Sequence, residues 1–265
     1  MTGGGDPVTA VVQRKQPKQS LSRAVFSDGS YSDHFRPEAP DNPFRGLYAA
    51  KRRDLLQLAG RRAGSRLLDL GGGPGRIAVP LARAHRVTLG DISSDMLARA
   101  GRAAEQSGIP AGNLTLVQLD ARDPLPFPSG SFDTVVAADL LVHLPDPLAA
   151  LREMRRVLAP RGRLLVDTTN RNPLWVLRHP GYVGRRPGRW LRTWRAGGVL
   201  PEWAGIVTHH GRAQFREMLQ DAGLRIVGER AYGLRPAPKW MLAICEASAP
   251  EAATGGAGEP MRAPG

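Results

Sequence analysis

The stretch from Leu67 to Arg76, LLDLGGGPGR, constrains the fold of this chain more than any other. A short apolar run is followed at once by four glycines and a proline, which predicts a buried strand that ends in a loop almost without side chains. Such a loop opens a βαβ unit and lets the backbone lie close to a ligand. We therefore expect a parallel sheet with a ligand site where this strand ends.

Strand and helix patterns alternate along the rest of the chain, which predicts an α/β fold with helices packed on a mostly parallel sheet. An amphipathic helix is expected at 42–60, ended by Gly60, and a second helix is expected to open at Pro74. The other predicted strands are 85–91, 113–120, 131–140, 163–169, 224–232 and 239–247, and the other predicted helices are 93–108, 146–160 and 211–223.

Composition limits the class of protein. The 265 residues suffice for one sizeable α/β domain, and the single cysteine, Cys245, excludes a disulfide framework or a cysteine-rich zinc site. Segments 1–25 and 248–265 are polar and without periodicity, which predicts disorder. The sequence has neither the apolar core of a signal peptide nor an apolar run long enough to span a bilayer, so we predict a cytoplasmic protein.

The glycine loop fits one ligand better than its competitors. A dinucleotide fingerprint would need glycine where Arg76 stands, and a P-loop would need a Gly-Lys-Ser/Thr ending. Pro74 removes a backbone donor that a pyrophosphate would use. The amino-acid end of S-adenosylmethionine is a zwitterion, which loop carbonyls, helix N–H groups and the nearby Asp69 can bind.

Acids at successive strand ends support the same ligand. Asp91 ends the second strand, where its carboxylate can accept hydrogen bonds from both ribose hydroxyls. Asp120 closes the third strand and can accept from the adenine amino group, with the Ala121 N–H facing a ring nitrogen. Ile92 and Met96 are placed to cover the adenine. The full set of predicted cofactor-binding residues is Asp69, Gly71, Gly73, Gly75, Asp91, Ile92, Met96, Asp120, Ala121 and Ala138.

With these residues the chain resembles the class I S-adenosylmethionine-dependent methyltransferases that act on small molecules. LLDLGGGPGR, VTLGDISSDML, LDARDPLPFPSGSFDTVVAADLLVHL and LREMRRVLAPRGRLLV match the successive motifs of that family in order and spacing. The resemblance implies a Rossmann-like seven-stranded sheet whose last strand is antiparallel. It also implies one methyltransferase domain at 26–247, with an N-terminal helical lid at 26–63 and a substrate cover at 170–207.

Methyl transfer to an oxygen needs a base near the end of the fourth strand, because the acceptor must lose a proton. His143 is the first candidate, although it could also serve as a wall of the cofactor pocket, and Asp139 is the alternative in the same segment. His209 and His210 precede a helix that faces substrate in such folds. A magnesium site beyond strand four would need clustered carboxylates, and Asp139 and Asp167 with Asn170 are the groups that the sequence offers for one; these are few, so we predict no metal.

Residues 171–203 carry four tryptophans and several arginines, which is similar to the ubiquinone-pathway O-methyltransferases. We interpret them as a lid over a small apolar substrate, with peripheral membrane contact as the alternative. The leading hypothesis is O-methylation of a small apolar or aromatic metabolite in a natural-product (secondary metabolism) or quinone pathway by a monomer or homodimer. The net charge of +13 motivates RNA methylation instead, but no RNA-binding module accompanies it. The third hypothesis is a cofactor-binding protein that transfers no methyl group.

Overall fold

The structure is a computed structural model that describes residues 38–40, 42, 44–170, 209–233 and 238–248. Several sequence predictions lie outside these ranges and stay predictions. They are the disorder at 1–25, the first part of the lid at 26–37, the cover at 171–207 and the tail from 249 onward.

Helices and strands alternate in the described chain as the sequence predicts. The helices are α1 (Arg45–Ala59), α2 (Ala78–Leu81), α3 (Ser94–Gln106), α4 (Pro147–Val157) and α5 (Arg212–Asp221). The strands are β1 (Arg66–Leu70), β2 (Arg86–Asp91), β3 (Leu114–Gln118), β4 (Phe132–Ala137), β5 (Leu158–Thr169), β6 (Leu224–Tyr232) and β7 (Trp240–Ala247). None of the helices in these ranges is both long and apolar enough to cross a bilayer.

The seven strands form one sheet in the order β3-β2-β1-β4-β5-β7-β6. Strands β1 to β5 are parallel, whereas β7 runs antiparallel to both β5 and β6. The predicted Rossmann-like sheet with an antiparallel last strand is therefore confirmed. Strand order reverses beside β1, because β2 lies on one side of it and β4 on the other, and ligands of open α/β sheets bind at such a switch point.

Two hydrophobic cores lie on opposite faces of the sheet. Leu67 of β1 belongs to the core that contains Leu55 of α1 and Leu97 of α3. Its neighbour Leu68 belongs to the core that contains Leu151 of α4 and Phe215 of α5. Successive side chains of a strand point to opposite faces, so consecutive buried leucines match a strand that is covered on both sides.

The helix after the glycine loop is shorter than predicted. We expected it to open at Pro74, but α2 begins only at Ala78. Gly73 and Gly75 have φ angles of +54° and +80°, which a right-handed helix cannot contain. The loop therefore occupies the first turn that the sequence pattern assigned to the helix. By contrast α3 begins as predicted, and Ser93 rather than Ser94 is its N-cap, accepting from the Met96 N–H at 3.3 Å.

Candidate active site

A cleft of about 280 Å³ opens at the carboxyl ends of the central strands. Its walls come from the glycine loop after β1, the ends of β2, β3 and β4, and one face of α1. The predicted site residues that line it are Asp69, Gly71, Gly73, Asp91, Ile92, Met96, Asp120, Ala121, Ala138, Asp139 and His143. Residues predicted from four separate segments thus share one concave surface of the size that small ligands use.

The glycine loop leaves open space in which a ligand can lie against the main chain. Gly71 and Gly73 take φ angles of +70° and +54°, which favour glycine. A Cβ built on Gly73 would meet no atom within 4 Å, so this part of the backbone faces open space. A Cβ on Gly72 would lie 2.7 Å from Oδ2 of Asp69, so glycine is needed there for packing. Gly75 does not line the cleft and turns against Val79 instead.

Asp69 is a buried carboxyl group at the floor of the cleft, with only 3% of the residue exposed. Its Oδ2 accepts a hydrogen bond from the Ala78 N–H, the first residue of α2, at 3.0 Å. Burial raises the pKa of Asp69 to about 7, the hydrogen bond opposes the shift, and the negative charge of Asp91 adds to it. The carboxyl group therefore binds a proton near neutral pH.

This raised pKa predicts a pH dependence of stability. Between the ordinary pKa and about 7 the unfolded chain has lost the proton that the folded protein keeps, so the Asp69 contribution to stability falls as pH rises. Between pH 5 and pH 7 we expect the free energy of unfolding of the wild type to fall by roughly 2 kcal/mol more than that of Asp69→Asn, which has no carboxyl group to titrate. Melting temperatures across that range measure it. Asp146→Asn is the control. If the melting temperatures of the wild type and Asp69→Asn change with pH in parallel, the raised pKa of Asp69 is contradicted.

Asp91 ends β2 and ties the glycine loop to the start of α3. Its Oδ2 accepts from the Gly73 N–H at 2.8 Å and its Oδ1 from the Ser93 N–H at 2.9 Å. Burial raises its pKa, and these backbone hydrogen bonds oppose the shift. A carboxylate has about four acceptor positions, so Asp91 can hold the loop and still accept from a bound diol.

Asp120, at the end of the third strand, binds a side chain of its own loop, which the sequence did not predict. The Asp120 carboxylate accepts from Nε of Arg122 at 2.9 Å and from its Nη2 at 2.8 Å, and also from the Arg122 N–H at 3.0 Å. The side chain therefore fixes its own loop as well as lining the cleft beside Ala121. Ile92 and Met96 line the wall between β2 and α3, where the sequence predicted a cover for a flat ring.

The four base candidates separate into two pairs. Asp139 follows β4, His143 ends a short 3-10 helix at Leu141–His143, and both line the cleft. His209 and His210 are not among its lining residues. His210 is 2% exposed, and its Nδ1 lies 2.8 Å from Oγ1 of Thr168 on β5. The structure therefore does not bring His209 and His210 to the cleft, and His210 pairs with the end of β5 instead.

A buried lysine that the sequence reading missed joins Asp139. Nζ of Lys51 donates to Oδ1 of Asp139 at 2.6 Å and to Oδ2 of Asp167 at 2.5 Å. Asp167 lies on β5 with no exposed surface, and its Oδ1 accepts from the Asp139 N–H at 2.6 Å. We call Lys51, Asp139 and Asp167 the buried ion group.

The opposite charges of the buried ion group offset the cost of removing each of them from water. Burial acts to lower the pKa of Lys51, but Asp139 and Asp167 outweigh it and the pKa is raised. Burial raises the pKa of Asp167 to about 6, and Lys51 opposes that shift. Lys51 Nζ also lies 5.4 Å from the centre of the Tyr48 ring and 5.2 Å from that of Trp240. The ammonium is thus held by two carboxylates and two aromatic faces.

One sequence signal could have pointed to Lys51. Phe44, Tyr48, Lys51 and Leu55 follow the three- and four-residue spacing of one helix face, and this is the face that α1 turns inward. A lysine in an apolar stripe is rarely buried unless it is paired. The sequence does not reveal its partners, which lie 88 and 116 positions away.

The cleft residues fit the parts of S-adenosylmethionine one by one. An open glycine backbone suits its amino-acid end, Asp91 suits a ribose diol, and the Ala121 backbone with the apolar side chains of Ile92 and Met96 suits a purine. Within the described ranges no three histidine, cysteine, aspartate or glutamate side chains come together as a metal site.

Comparison with known proteins agrees with this geometry. Residues 68–166 match the family model described as a methyltransferase domain. A relative named ubiquinone/menaquinone biosynthesis C-methyltransferase UbiE, from Pseudomonas putida, is 40% identical over 125 residues, covering 46% of this chain and 48% of the relative. The protein of the same name from Azotobacter vinelandii is also 40% identical over 125 residues, covering 46% and 49%. The chain spans about half the length of the curated relatives it matches.

Solved structures share the fold at lower sequence identity. Magnesium protoporphyrin IX methyltransferase from Synechocystis PCC 6803, solved with bound S-adenosylhomocysteine, has a TM-score of 0.64 and 20% identity, covering 86% of this chain and 99% of its own. The [4+2]-cyclase SpnF has a TM-score of 0.58 and 22% identity, covering 76% and 82%. Residues 68–166 therefore match a methyltransferase domain by sequence, and the described chain shares the fold of the class I S-adenosylmethionine-dependent methyltransferases. Within that class, the curated relatives named above are quinone-pathway C-methyltransferases.

Proposed function

We propose that this protein is an S-adenosylmethionine-dependent methyltransferase that acts on a small apolar or aromatic metabolite. The observation that carries the proposal is the convergence of Asp69, Asp91 and Asp120 with the open glycine backbone in one cleft. The methyltransferase domain at 68–166 covers the same residues. When bound, S-adenosylmethionine supplies a methyl group on a positively charged sulfur.

The chain's own residues position the two reactants. We assign Asp91 to the ribose hydroxyls, the Gly71–Gly73 backbone and Asp69 to the amino-acid end, and Ala121 with Ile92 and Met96 to the adenine. We assign Ala138 to the cofactor as well, and Asp139, the next residue after it, to the side from which the acceptor approaches. Holding the acceptor in line and close provides most of the rate, because the methyl donor is already reactive.

The acceptor atom is the finer part of the proposal. The sequence reading favours oxygen, with His143 or Asp139 as the base. The names of the curated relatives favour carbon. We therefore propose an acceptor that carries a hydroxyl group. Removal of the hydroxyl proton by the same base activates either that oxygen or a ring carbon for methylation.

The non-methylating alternative is favoured by one observation, the likeness of the fold to that of a cyclase. Incubation with S-adenosylmethionine carrying a labelled methyl group, together with hydroquinones and phenols of graded size, tests both. We expect label in a small product and release of S-adenosylhomocysteine. Binding of S-adenosylhomocysteine without any label transfer would favour the alternative, and failure to bind it at high micromolar concentration would overturn the proposal.

A further inference from the structure

The buried ion group meets the cleft through Asp139. Lys51 and Asp167 are 3% and 0% exposed, whereas the Asp139 side chain is 29% exposed. Asp139 and Lys51 both line the cleft, and Asp167 lies behind them on β5. Any polar contact between this group and a molecule in the cleft therefore falls first on the Asp139 carboxylate.

The backbone holds Asp139 in an unusual conformation. Its φ angle is +55°, which is uncommon for residues other than glycine, although aspartate tolerates it better than most. Two contacts support this conformation, from its N–H to Asp167 and from its Oδ1 to the Lys51 ammonium. Lys51 thus fixes where the carboxylate points, from a helix that lies 88 residues earlier in the chain.

The carboxylate of Asp139 can accept a hydrogen bond from a molecule in the cleft. Its Oδ1 already accepts from the Lys51 ammonium at 2.6 Å, which offsets part of its charge. A neutral hydroxyl donates a strong hydrogen bond to such a carboxylate. Tyr48, Leu55 and Ile77 line the cleft as well and provide apolar surface for the rest of the molecule.

We propose that Asp139 is the residue that recognises a hydroxyl group of the methyl acceptor, and that Lys51 is its positioning residue. The acceptor is then a phenol or enol on an otherwise apolar frame. This inference rests on the proposed function and deepens it, since it names the polar group by which the substrate is oriented.

Binding of 2-naphthol and of its methyl ether, 2-methoxynaphthalene, tests the inference in the presence of saturating S-adenosylhomocysteine. The two probes share the naphthalene ring and its oxygen, and the ether carries a methyl group in place of the hydroxyl hydrogen that could be donated. We expect the wild type to bind 2-naphthol at least about tenfold more tightly, with a shift of its absorbance band. Asp139→Asn keeps the shape of the side chain, and we expect it to bind the two probes equally.

Further variants separate positioning from folding. Lys51→Met should lose the preference for 2-naphthol and Lys51→Arg should restore it; if Lys51→Met does not fold, Asp139→Asn decides alone. Asp146→Asn, which caps α4 nearby, is the control and should keep the preference. Equal or absent binding of both probes to the wild type, or an unchanged preference in Asp139→Asn, overturns the inference. Failure to bind S-adenosylhomocysteine overturns the proposed function instead.

Discussion

Replacing Lys51 with methionine is expected to destabilise the folded protein by about 3–5 kcal/mol, because it leaves two carboxylates beside each other without their shared ammonium. Asp167 is fully buried and cannot recover the loss by exposure to water. For a domain of this size the change lowers the melting temperature by roughly 10 °C, which thermal unfolding at pH 7.5 measures.

Two comparisons show whether the ion group is the cause. Arg53→Met changes a cation on the exposed face of the same helix, and we expect it to alter stability by less than about 0.5 kcal/mol. Adding Asp167→Asn to Lys51→Met removes one of the stranded charges and should recover part of the loss. A Lys51→Met protein as stable as the Arg53→Met control would show that the ion group contributes little.

Replacing Asp91 with alanine is expected to weaken S-adenosylhomocysteine binding about 100-fold. The variant loses the proposed contacts with the ribose hydroxyls, and it releases the Gly73 and Ser93 N–H groups that shape the loop. Isothermal titration calorimetry at fixed pH and salt gives the change directly.

Two further variants test whether the loss of affinity is caused by the Asp91 carboxylate. Asp91→Asn keeps an acceptor oxygen for one backbone N–H and should retain a larger part of the affinity than alanine does. Glu105→Ala removes an exposed acid from the far end of α3 and should bind like the wild type. Undiminished binding by Asp91→Ala would remove the main support for the proposed cofactor site.

Local sequence pattern predicted the sheet and one half of the site. Asp69, Asp91 and Asp120 each close a predicted strand, and parallel strands end at one edge of a sheet, so their meeting follows from the strand pattern alone. The same reasoning overextended the helix after Pro74, because positive φ at Gly73 and Gly75 is set by how the loop packs.

The other half of the site depends on contacts that no local pattern encodes. Lys51 meets Asp139 and Asp167 only because α1 folds back over the ends of β4 and β5. His209 and His210 were base candidates from their place before a helix, yet His210 contacts Thr168 of β5 and neither histidine lines the cleft. The acceptor side of a site is built from such long-range contacts, which is why the sequence predicted the cofactor more sharply than the substrate.

A crystal structure of the complex with S-adenosylhomocysteine tests directly whether this cleft binds the cofactor. We expect the ribose within hydrogen-bond distance of Asp91, the adenine against Ile92 and Met96, and the sulfur facing Asp139. A nucleoside bound outside this cleft, or bound within it without contact to Asp91, would contradict this expectation.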